Sequence, residues 1–384
     1  MKNSVFIIFV LILSSIYFLI HYFVFSRIVS GLSLYPVSNT ILVIVFMTGG
    51  LSYLLGEILG RFTKISVPIY FGAVWMGMIS ISLTIFIFEF IFSAIFPVHR
   101  ELFTKVSIVI VIILTISGLL NSAFFRRIKR ITLTYDSLPG ILNGFKIIHL
   151  SDLHLGKLTT INWFKKIVDE VNLLNPDLIV ITGDLIDEDI GASKEYCSEL
   201  SRLSASFGVY AVPGNHEYYA GIDEFINITK QAGIKVLINS SAKIKDSICL
   251  IGLTDISATR TNNAGPDLEK AFADVSDEKL FKIILVHQPI FFNESVEKGI
   301  KLQLSGHTHS GQLIPINFLV KFLYKYSYGL FSKNGAFIYT TCGTGTWGPP
   351  LRLGSRSEII QITFRVPASV ICPGLRKVHD KLVK

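Results

Sequence analysis

Four long apolar runs occupy the first third of this 384-residue chain and limit its possible architecture more than any other feature. They cover about residues 5–25, 40–59, 67–96 and 106–124, and each has the roughly 20 residues that a helix needs to cross a bilayer. The first run lacks a small-residue cleavage site, which is typical of a retained helix rather than a signal peptide. We therefore predict a transmembrane region of four helices over residues 1–125.

Lysine and arginine residues around these runs predict their orientation, because short cytoplasmic loops carry an excess of positive charge. With the N-terminus inside, seven of these residues would lie inside and three outside. We therefore expect a protein of the inner or plasma membrane whose two ends, and the domain after the helices, are cytoplasmic. The basic cluster at 126–130 could also contact anionic lipid headgroups. The inner residues are Lys2, Arg61, Lys64, Arg126, Arg127, Lys129 and Arg130, and the outer ones are Arg27, Arg100 and Lys105.

Two carboxylates, Glu57 and Glu89, interrupt the apolar runs. Glu57 is close to a helix end and is expected to reach water, whereas Glu89 lies deeper, where an isolated charge is costly. Two interpretations of Glu89 follow. It serves a function, which could include lipid access, or it is a protonated or hydrogen-bonded carboxyl inside the helix bundle.

From Ile131 onward the chain has the pattern of a globular α/β domain, which we place at residues 131–366 and follow with a C-terminal tail at 367–384. Short apolar runs bounded by Gly, Pro, Asn and Asp alternate with amphipathic stretches such as 162–174, an order typical of strands separated by helices. The predicted strands cover residues 131–135, 145–150, 178–182, 208–212, 248–253, 282–287, 302–305, 336–341 and 358–364.

Cysteine usage and charge exclude two other classes of protein. The four cysteines, Cys197, Cys249, Cys342 and Cys372, form no CxxC pair, which argues against a zinc finger or a disulfide framework. The net charge of +8 comes partly from the flanks of the apolar runs. Because no aromatic-basic motif accompanies that charge, we expect no nucleic-acid partner.

Side chains that can bind metal follow five of the predicted strands. They occur in "SDLHLG", "GDLID" and "PGNHE", at the end of "KIILVH", and in "SGHTH". Because the carboxyl ends of strands in an open α/β sheet border the ligand crevice, we expect them to meet at one site. His149 lies within a strand, and we interpret it as a packed histidine. The candidate residues are Asp152, His154, Asp184, Asp187, Asn215, His216, Glu217, His287, His307 and His309.

Seven of these groups are suitable metal ligands. Imidazole and carboxylate bind Zn, Mn and Fe, and the choice among these metals stays open. Seven ligands are too many for one tetrahedral ion. They suit two ions that share a carboxylate, a type of site that clamps the attacking and leaving oxygens of an in-line displacement. The sequence thus predicts two divalent metal ions as cofactors, with Asp152, His154, Asp184, Asn215, His287, His307 and His309 as ligands.

In this order, "DLH", "GDLID", "GNHE", a single His and "GHTH" resemble the calcineurin-like metallophosphoesterases over roughly residues 131–364. The segment "GTGTWGPPLRLGSRSEI" at 343–359 is similar to a bacterial subgroup that includes membrane-attached members. The resemblance implies a four-layer α/β/β/α sandwich and metal-dependent hydrolysis of a phosphate ester or anhydride. We therefore expect an α/β fold of this kind, preceded by the all-α transmembrane region.

The resemblance also implies a role for each residue. His216 would donate a proton to the leaving group or hold a phosphoryl oxygen, and Glu217 would orient it; many members have Asp at the latter position. Asp187 would fix a ligand histidine or the turn, and Ser310 stands where the family often has Gly. Of the ligands, Asp152, His154 and His309 would bind one metal, Asn215, His287 and His307 the other, and Asp184 would bridge both.

The substrate is less constrained than the chemistry. Arg352 is a candidate substrate-binding residue, because a guanidinium matches phosphate bidentately, although it could equally be a surface arginine after a Pro-Pro turn. The apolar and aromatic segment 316–331 suits an interfacial element or a wall around acyl chains, or it is an ordinary covering segment between two strands. A lipid-linked phosphodiester or pyrophosphate, such as a UDP-diacylglucosamine, is therefore a candidate substrate.

A second class of function stays open. The domain could be a non-catalytic sensor or scaffold on a membrane anchor. The presence of His216 beside a complete ligand set argues against this alternative, because a scaffold has no need of a proton donor.

Overall fold

The computed structural model describes residues 3–60, 67–187, 191, 194–273, 275 and 279–367. Lys2, Arg61, Lys64, Cys372 and nearly all of the tail at 367–384 lie outside the described residues. The chain forms two compact units. The first contains Met1–Arg126, Gly311–Val320 and Thr346–Arg356, and the second contains Arg127–Ser310, Lys321–Gly345 and Ser357–Lys384.

Four helices dominate the first unit, which confirms the predicted all-α region. Each is long and apolar enough to cross a membrane. The first continues to Leu32, beyond the end of its apolar run, and Arg27 within it forms an ion pair with the third helix. The helices are α1 (Asn3–Leu32), α2 (Pro36–Gly60), α3 (Val67–Ile95) and α4 (Arg100–Phe124).

Glu89 on α3 forms an ion pair with Arg27 on α1. Its carboxylate oxygens accept bonds from Arg27 Nε at 2.8 Å and Nη2 at 3.1 Å. Ser93 and Thr104 donate their hydroxyls to the same carboxylate at 2.8 and 3.0 Å. Glu89 is therefore a hydrogen-bonded carboxylate inside the bundle. Arg27, which was assigned to an outer loop, lies within a helix and has its charge compensated.

Two six-stranded sheets form the second unit. The first has the order β1-β12-β2-β3-β4-β5 and the second the order β10-β11-β9-β8-β7-β6. The strands are β1 (Arg127–Thr134), β2 (Lys146–Leu150), β3 (Leu178–Thr182), β4 (Val209–Val212), β5 (Lys235–Val236), β6 (Ser240–Ile244), β7 (Ile248–Gly252), β8 (Phe281–Leu285), β9 (Leu302–Ser305), β10 (Gly329–Lys333), β11 (Ala336–Thr340) and β12 (Glu358–Arg365).

Helices cover the sheets. The shorter ones are α5 (Ile161–Leu173), α6 (Cys197–Leu200), α7 (Asn215–Ala220), α8 (Ile222–Gln231), α9 (Leu268–Phe272), α10 (Phe292–Glu297) and α11 (Ile316–Leu323). Residues of α5 and α8 pack on one face of the first sheet, and α9 packs on the second sheet. The two inner faces share one apolar core that joins Val180 and Ile283 in a single cluster. The expected four-layer α/β/β/α sandwich is confirmed.

Strand direction determines where the site is built. β2, β3 and β4 are neighbours and run parallel, and so do β8 and β9 in the other sheet. Every residue of β3 is buried, which is typical of a parallel strand covered on both faces. The carboxyl ends of β2, β3 and β4 therefore meet at one edge of their sheet, and those of β8 and β9 meet at one edge of theirs.

Candidate metal centre

The structure brings the seven predicted ligands together. Asp152 and His154 follow β2, Asp184 follows β3, and Asn215 begins α7 just after β4. His287 follows β8, while His307 and His309 follow β9. Six of them, together with His216, form overlapping groups that could hold metal ions, and all of these side chains are buried except the half-buried His307.

The first group contains Asp152, His154 and His309. The Nε2 atoms of His154 and His309 are 3.2 Å apart, and His309 Nε2 lies 3.4 Å from Asp152 Oδ1. Asp152 also accepts the backbone N–H of His307 at 2.9 Å, which fixes the carboxylate against the last loop. Three donor atoms from two loops therefore converge on one point.

The second group contains Asp184, His287 and His307. His287 Nε2 lies 3.2 Å from each of three atoms: Asp184 Oδ2, Asn215 Oδ1 and His307 Nδ1. His287 Nδ1 donates to the Thr182 carbonyl at 2.7 Å, which leaves Nε2 to face the other ligands. This bond selects the tautomer that a metal ligand needs.

Asp184 is a member of the second group and also lies close to His154 of the first. Its Oδ2 lies 3.2 Å from His287 Nε2 and 3.8 Å from His154 Nε2. Its other oxygen accepts the backbone N–H of His216 at 3.0 Å. One carboxylate oxygen thus faces histidines of both groups, as a bridging ligand must.

Backbone strain is concentrated at the ligands. Left-handed backbone is unfavourable for residues other than glycine, at a cost of about 1–2 kcal/mol each. Five of the seven ligands adopt it, with φ between 46° and 70°. Neighbouring loops hold these residues in the left-handed conformation, which directs their side chains toward one another. They are Asp152, His154, Asp184, His307 and His309.

Two glycines allow the loops to approach this closely. A Cβ on Gly306 would lie 2.0 Å from Ser151 Oγ and 2.4 Å from Asp152 Oδ2. One on Gly214 would lie 2.3 Å from Asp184 Oδ1. Any side chain at either position would therefore push a ligand carboxylate out of place.

The electrostatics of the centre favour bound cations. Burial lowers the pKa of His154 and that of His307 to about 4, so both rings are neutral near pH 7 and keep a lone pair for a metal. Burial would also lower the pKa of His287, but the charge of Asp184 raises it well above its ordinary value. Positive charge is thus stabilised where His287 and Asp184 meet, and the donor set fits divalent metal ions.

His216 has a different carboxylate partner from the expected one. Asp187 Oδ1 lies 3.3 Å from His216 Nδ1. Glu217 instead accepts backbone N–H groups of Asp184, Ile186 and Gly214 at 2.9, 3.0 and 2.6 Å. The expectation that Glu217 orients His216 is corrected, because its carboxylate is used in joining two ligand loops.

The charge of His216 suits an acid. Burial would lower its pKa, but the carboxylates of Asp184 and Asp187 raise it to about 9. The ring also lies near His154 and Asp184, with ligand atoms within 4.8 Å of one another. His216 is therefore placed either to donate a proton or to act as a further ligand.

Tyr324 is a residue of the centre that the sequence did not reveal. Its hydroxyl lies 3.0 Å from His307 Nε2 and donates to Gln288 Oε1 at 3.3 Å. Gln288 in turn donates to both oxygens of Asp255 at 3.0 and 3.2 Å. This chain holds His307 so that Nδ1 faces His287. The only signal in the sequence was the aromatic character of segment 316–331.

His149 and Arg352 were also singled out in the sequence. His149 is buried within β2, with Nε2 2.7 Å from Thr182 Oγ1, so it is a packed histidine. Arg352 is buried in the first unit, and its Nη1 donates to Ser355 Oγ at 3.1 Å. A role for Arg352 in substrate binding stays a prediction.

Comparison with known proteins identifies relatives of this chain. The family model for calcineurin-like phosphoesterases matches residues 145–311. A transmembrane protein with a metallophosphoesterase domain from Danio rerio is 35% identical over 274 residues, 68% of this chain and 62% of that protein. An uncharacterized metallophosphoesterase from Campylobacter jejuni is 33% identical over 271 residues, 69% of this chain and 70% of that protein.

The match therefore spans less than two thirds of the Danio rerio relative. Among solved structures, a dimetal phosphatase from Danio rerio superposes with a TM-score of 0.38 at 15% identity, covering 58% of this chain and 99% of that one.

Proposed function

Because the chain belongs to the calcineurin-like metallophosphoesterase family, we propose that it is a membrane-attached, two-metal-dependent hydrolase of a phosphate ester or anhydride. The proposal includes both the phosphodiesterase and the pyrophosphatase type. The observation that carries it is the position of Asp184 Oδ2, which lies 3.2 Å from His287 and 3.8 Å from His154. A carboxylate between two histidine groups suits a pair of ions that share one ligand and clamp the attacking and leaving oxygens.

The proposed ligand roles follow the two groups. Asp152, His154 and His309 would hold one ion, Asn215, His287 and His307 the other, and Asp184 both. Ions bound in such a pair of sites supply Lewis acidity and clamp the attacking and leaving oxygens. We propose that the ions are Mn, Zn or Fe, because the ligands are imidazole nitrogens, carboxylates and an amide oxygen.

His216 is proposed as the general acid. Asp187 holds Nδ1 and stabilises the protonated ring, so the proton for the leaving oxygen would come from Nε2. The Asp187 carboxylate supports this role, because it raises the pKa of His216 against the lowering effect of burial. Glu217 is proposed as a positioning residue that acts through the loops of Asp184 and Gly214.

We further propose that the substrate is lipid-linked, such as a UDP-diacylglucosamine. Four helices of membrane-spanning length support it. The exposed apolar side chains of α11, which begins at Ile316 soon after His309, also support it. Arg352 is the candidate residue for binding the substrate phosphate, although its hydrogen bond to Ser355 would first have to break.

A cytoplasmic orientation of the second unit is also proposed. The count of seven positive residues assigned to the inner side against three assigned to the outer side supports this orientation.

The decisive experiment is a phosphodiesterase assay of the purified full chain with bis-p-nitrophenyl phosphate. Chelation should abolish hydrolysis, and Mn, Zn or Fe should restore it. Full activity in metal-stripped protein would contradict the two-metal mechanism. A protein that binds two ions tightly but hydrolyses neither phosphodiesters nor pyrophosphates would support the alternative of a sensor or scaffold.

A further inference from the structure

Two segments that lie far apart in sequence from the four long helices belong to the same compact unit as those helices. They are Gly311–Val320, which includes the first part of α11, and Thr346–Arg356. Gln312 joins them, since its side chain donates to the carbonyls of Trp347 and Pro349 at 2.9 Å and accepts the Trp347 N–H at 2.9 Å. The two segments therefore form one structural piece, which we call the docked loops.

The docked loops are fixed to α3 and α4 at two glycines. A Cβ on Gly77 would lie 2.2 Å from Leu351 Cδ1, and one on Gly118 would lie 3.2 Å from Leu351 Cδ2. Leu351 is fully buried between them. The Arg352 N–H donates to the Gly118 carbonyl at 3.1 Å. This close packing depends on the absence of a side chain at Gly77 and Gly118.

Polar bonds complete the attachment. Asn121 on α4 donates to the carbonyl oxygens of Arg352 and Ser355 at 2.8 and 2.9 Å. These bonds satisfy backbone groups of the loop that would otherwise require water. A loop with satisfied carbonyls can lie beside a helix at membrane depth, where bare backbone cannot.

The depth of the attachment follows from helix length. Gly77 lies ten residues after the start of α3, about 15 Å along the axis, and Gly118 lies six residues before the end of α4, about 9 Å. α3 has 29 residues and is about 43 Å long, close to the full bilayer with its headgroups. The hydrocarbon core is only about 30 Å thick. Leu351 therefore lies within the hydrocarbon core, less than about 10 Å from its boundary with the headgroups.

The outer side of the docked loops is apolar. Trp347, Phe318 and Leu319 are 57%, 59% and 56% exposed. Ile314 and Ile316 are also exposed. A tryptophan at the level of the headgroups is the typical aromatic anchor of membrane proteins. Apolar side chains grouped at this depth face lipid when the helices span a bilayer.

We propose that the docked loops form a membrane-contact surface, in which Trp347, Phe318 and their apolar neighbours insert into one leaflet of the bilayer. The partner is phospholipid at the boundary between headgroups and acyl chains. This surface is continuous with the membrane-spanning helices and packs on them at Gly77 and Gly118. It does not depend on hydrolysis by the metal centre.

The test is photocrosslinking of the full chain in vesicles of phosphatidylethanolamine and phosphatidylglycerol. A benzophenone amino acid replaces Phe318 or Trp347, aromatic for aromatic at exposed positions. Two control positions bracket the result: Ile44, exposed on α2 within the span, and Leu173, exposed at the end of α5 in the second unit. Lipid adducts are detected by the mass of the whole protein.

We expect lipid adducts at positions 318, 347 and 44, and none at 173. Adducts at 44 alone would overturn the proposal, because they would show that the helices are in lipid while the docked loops are not. Adducts between two protein chains at 318 or 347 would also overturn it, and would assign this surface to a second copy of the protein.

Discussion

Asp187 Oδ1 lies 3.3 Å from His216 Nδ1, although Glu217 is the carboxylate next to this histidine in sequence. Glu217 points away and accepts three backbone N–H groups of the ligand loops. The two carboxylates therefore have separate functions, and substitutions can separate them. Substitution of Asp187 should change the protonation of His216, whereas substitution of Glu217 should change the position of the metal ligands.

Asp187→Asn should keep both metal ions but slow reactions that need a proton. General acid catalysis contributes about 10²–10⁴-fold, and a weakened acid should lose part of that factor. An alkyl phosphodiester has a poor leaving group and should be slowed strongly. Bis-p-nitrophenyl phosphate, whose leaving group is stable as an anion, should be slowed much less. The measurement is kcat/KM for both substrates, together with metal content.

Glu217→Gln is the matched control for this comparison. It should slow both substrates to a similar extent and lower metal affinity, because an amide cannot accept all three N–H groups as a carboxylate does. If Glu217→Gln shows the dependence on leaving group and Asp187→Asn does not, the assignment of the two carboxylates is reversed. Loss of a metal ion in His216→Ala would instead make His216 a ligand.

Tyr324→Phe should weaken the binding of one metal ion. Removal of the hydroxyl breaks the bond to His307 Nε2, and loss of such an outer partner typically costs about 10–100-fold in metal affinity. The ion that we propose for Asp152, His154 and His309 should be unaffected. Isothermal titration of the metal-free protein with Mn²⁺ measures both sites. The readout does not require activity.

Tyr326→Phe supplies the control, because this ring packs against Phe292 and Phe331 rather than against a ligand. It should leave both affinities unchanged. Equal weakening in the two variants would mean that any change in this segment disturbs the centre, and Tyr324 would then have no specific role.

Much of this centre could be predicted from the sequence, because each ligand directly follows a strand and carries its own short motif. Parallel strands place such motifs at one sheet edge without further information. The partner of His216 could not be predicted in this way. Asp187 and Glu217 are both acidic and near in sequence to other site residues, and only the turn after Asp184 determines which one reaches the ring.

The missed elements have similar physical causes. β5 has only two residues, and β6, with the sequence "SSAKI", is polar and lies at the edge of its sheet. β10 is also an edge strand and is largely exposed. Edge strands bury one face at most, so they lack the apolar run that marks a central strand. Tyr324 was missed because nothing in its neighbourhood marks a tyrosine as the partner of a histidine 17 residues earlier.

Asp184→Asn should weaken both metal ions together and remove most activity, since Asp184 is the one residue assigned to both groups. Asn215→Ala should chiefly affect the ion near His287, because Asn215 Oδ1 lies 3.2 Å from His287 Nε2. Metal content per protein chain distinguishes the two variants. Two tightly bound ions and a wild-type rate in Asp184→Asn would rule out the bridging role.

Reporter fusions at Lys384 should place the second unit in the cytoplasm. A green fluorescent fusion should be bright and an alkaline phosphatase fusion inactive, because positive charge accumulates on the inner side of the helices. A matched fusion after residue 34, between α1 and α2, should give the opposite result. The reverse pattern at both positions would place the domain outside.

The ion pair of Arg27 and Glu89 should be essential to the helix bundle. Glu89→Gln leaves the guanidinium of Arg27 without its counter-charge, and breaking a buried pair in this way typically costs about 3–5 kcal/mol. Thermal unfolding in nanodiscs should therefore show a large loss of stability. The double variant Arg27→Met with Glu89→Leu should recover much of this stability, because no isolated charge remains.

Glu101→Gln is the control. Glu101 pairs with Lys105 at the surface of α4, where both side chains are 62% exposed, and the loss of this pair should change stability little. If Glu89→Gln unfolds at the wild-type temperature, the ion pair does not stabilise the bundle. That result would favour the alternative that Glu89 serves a function within the membrane.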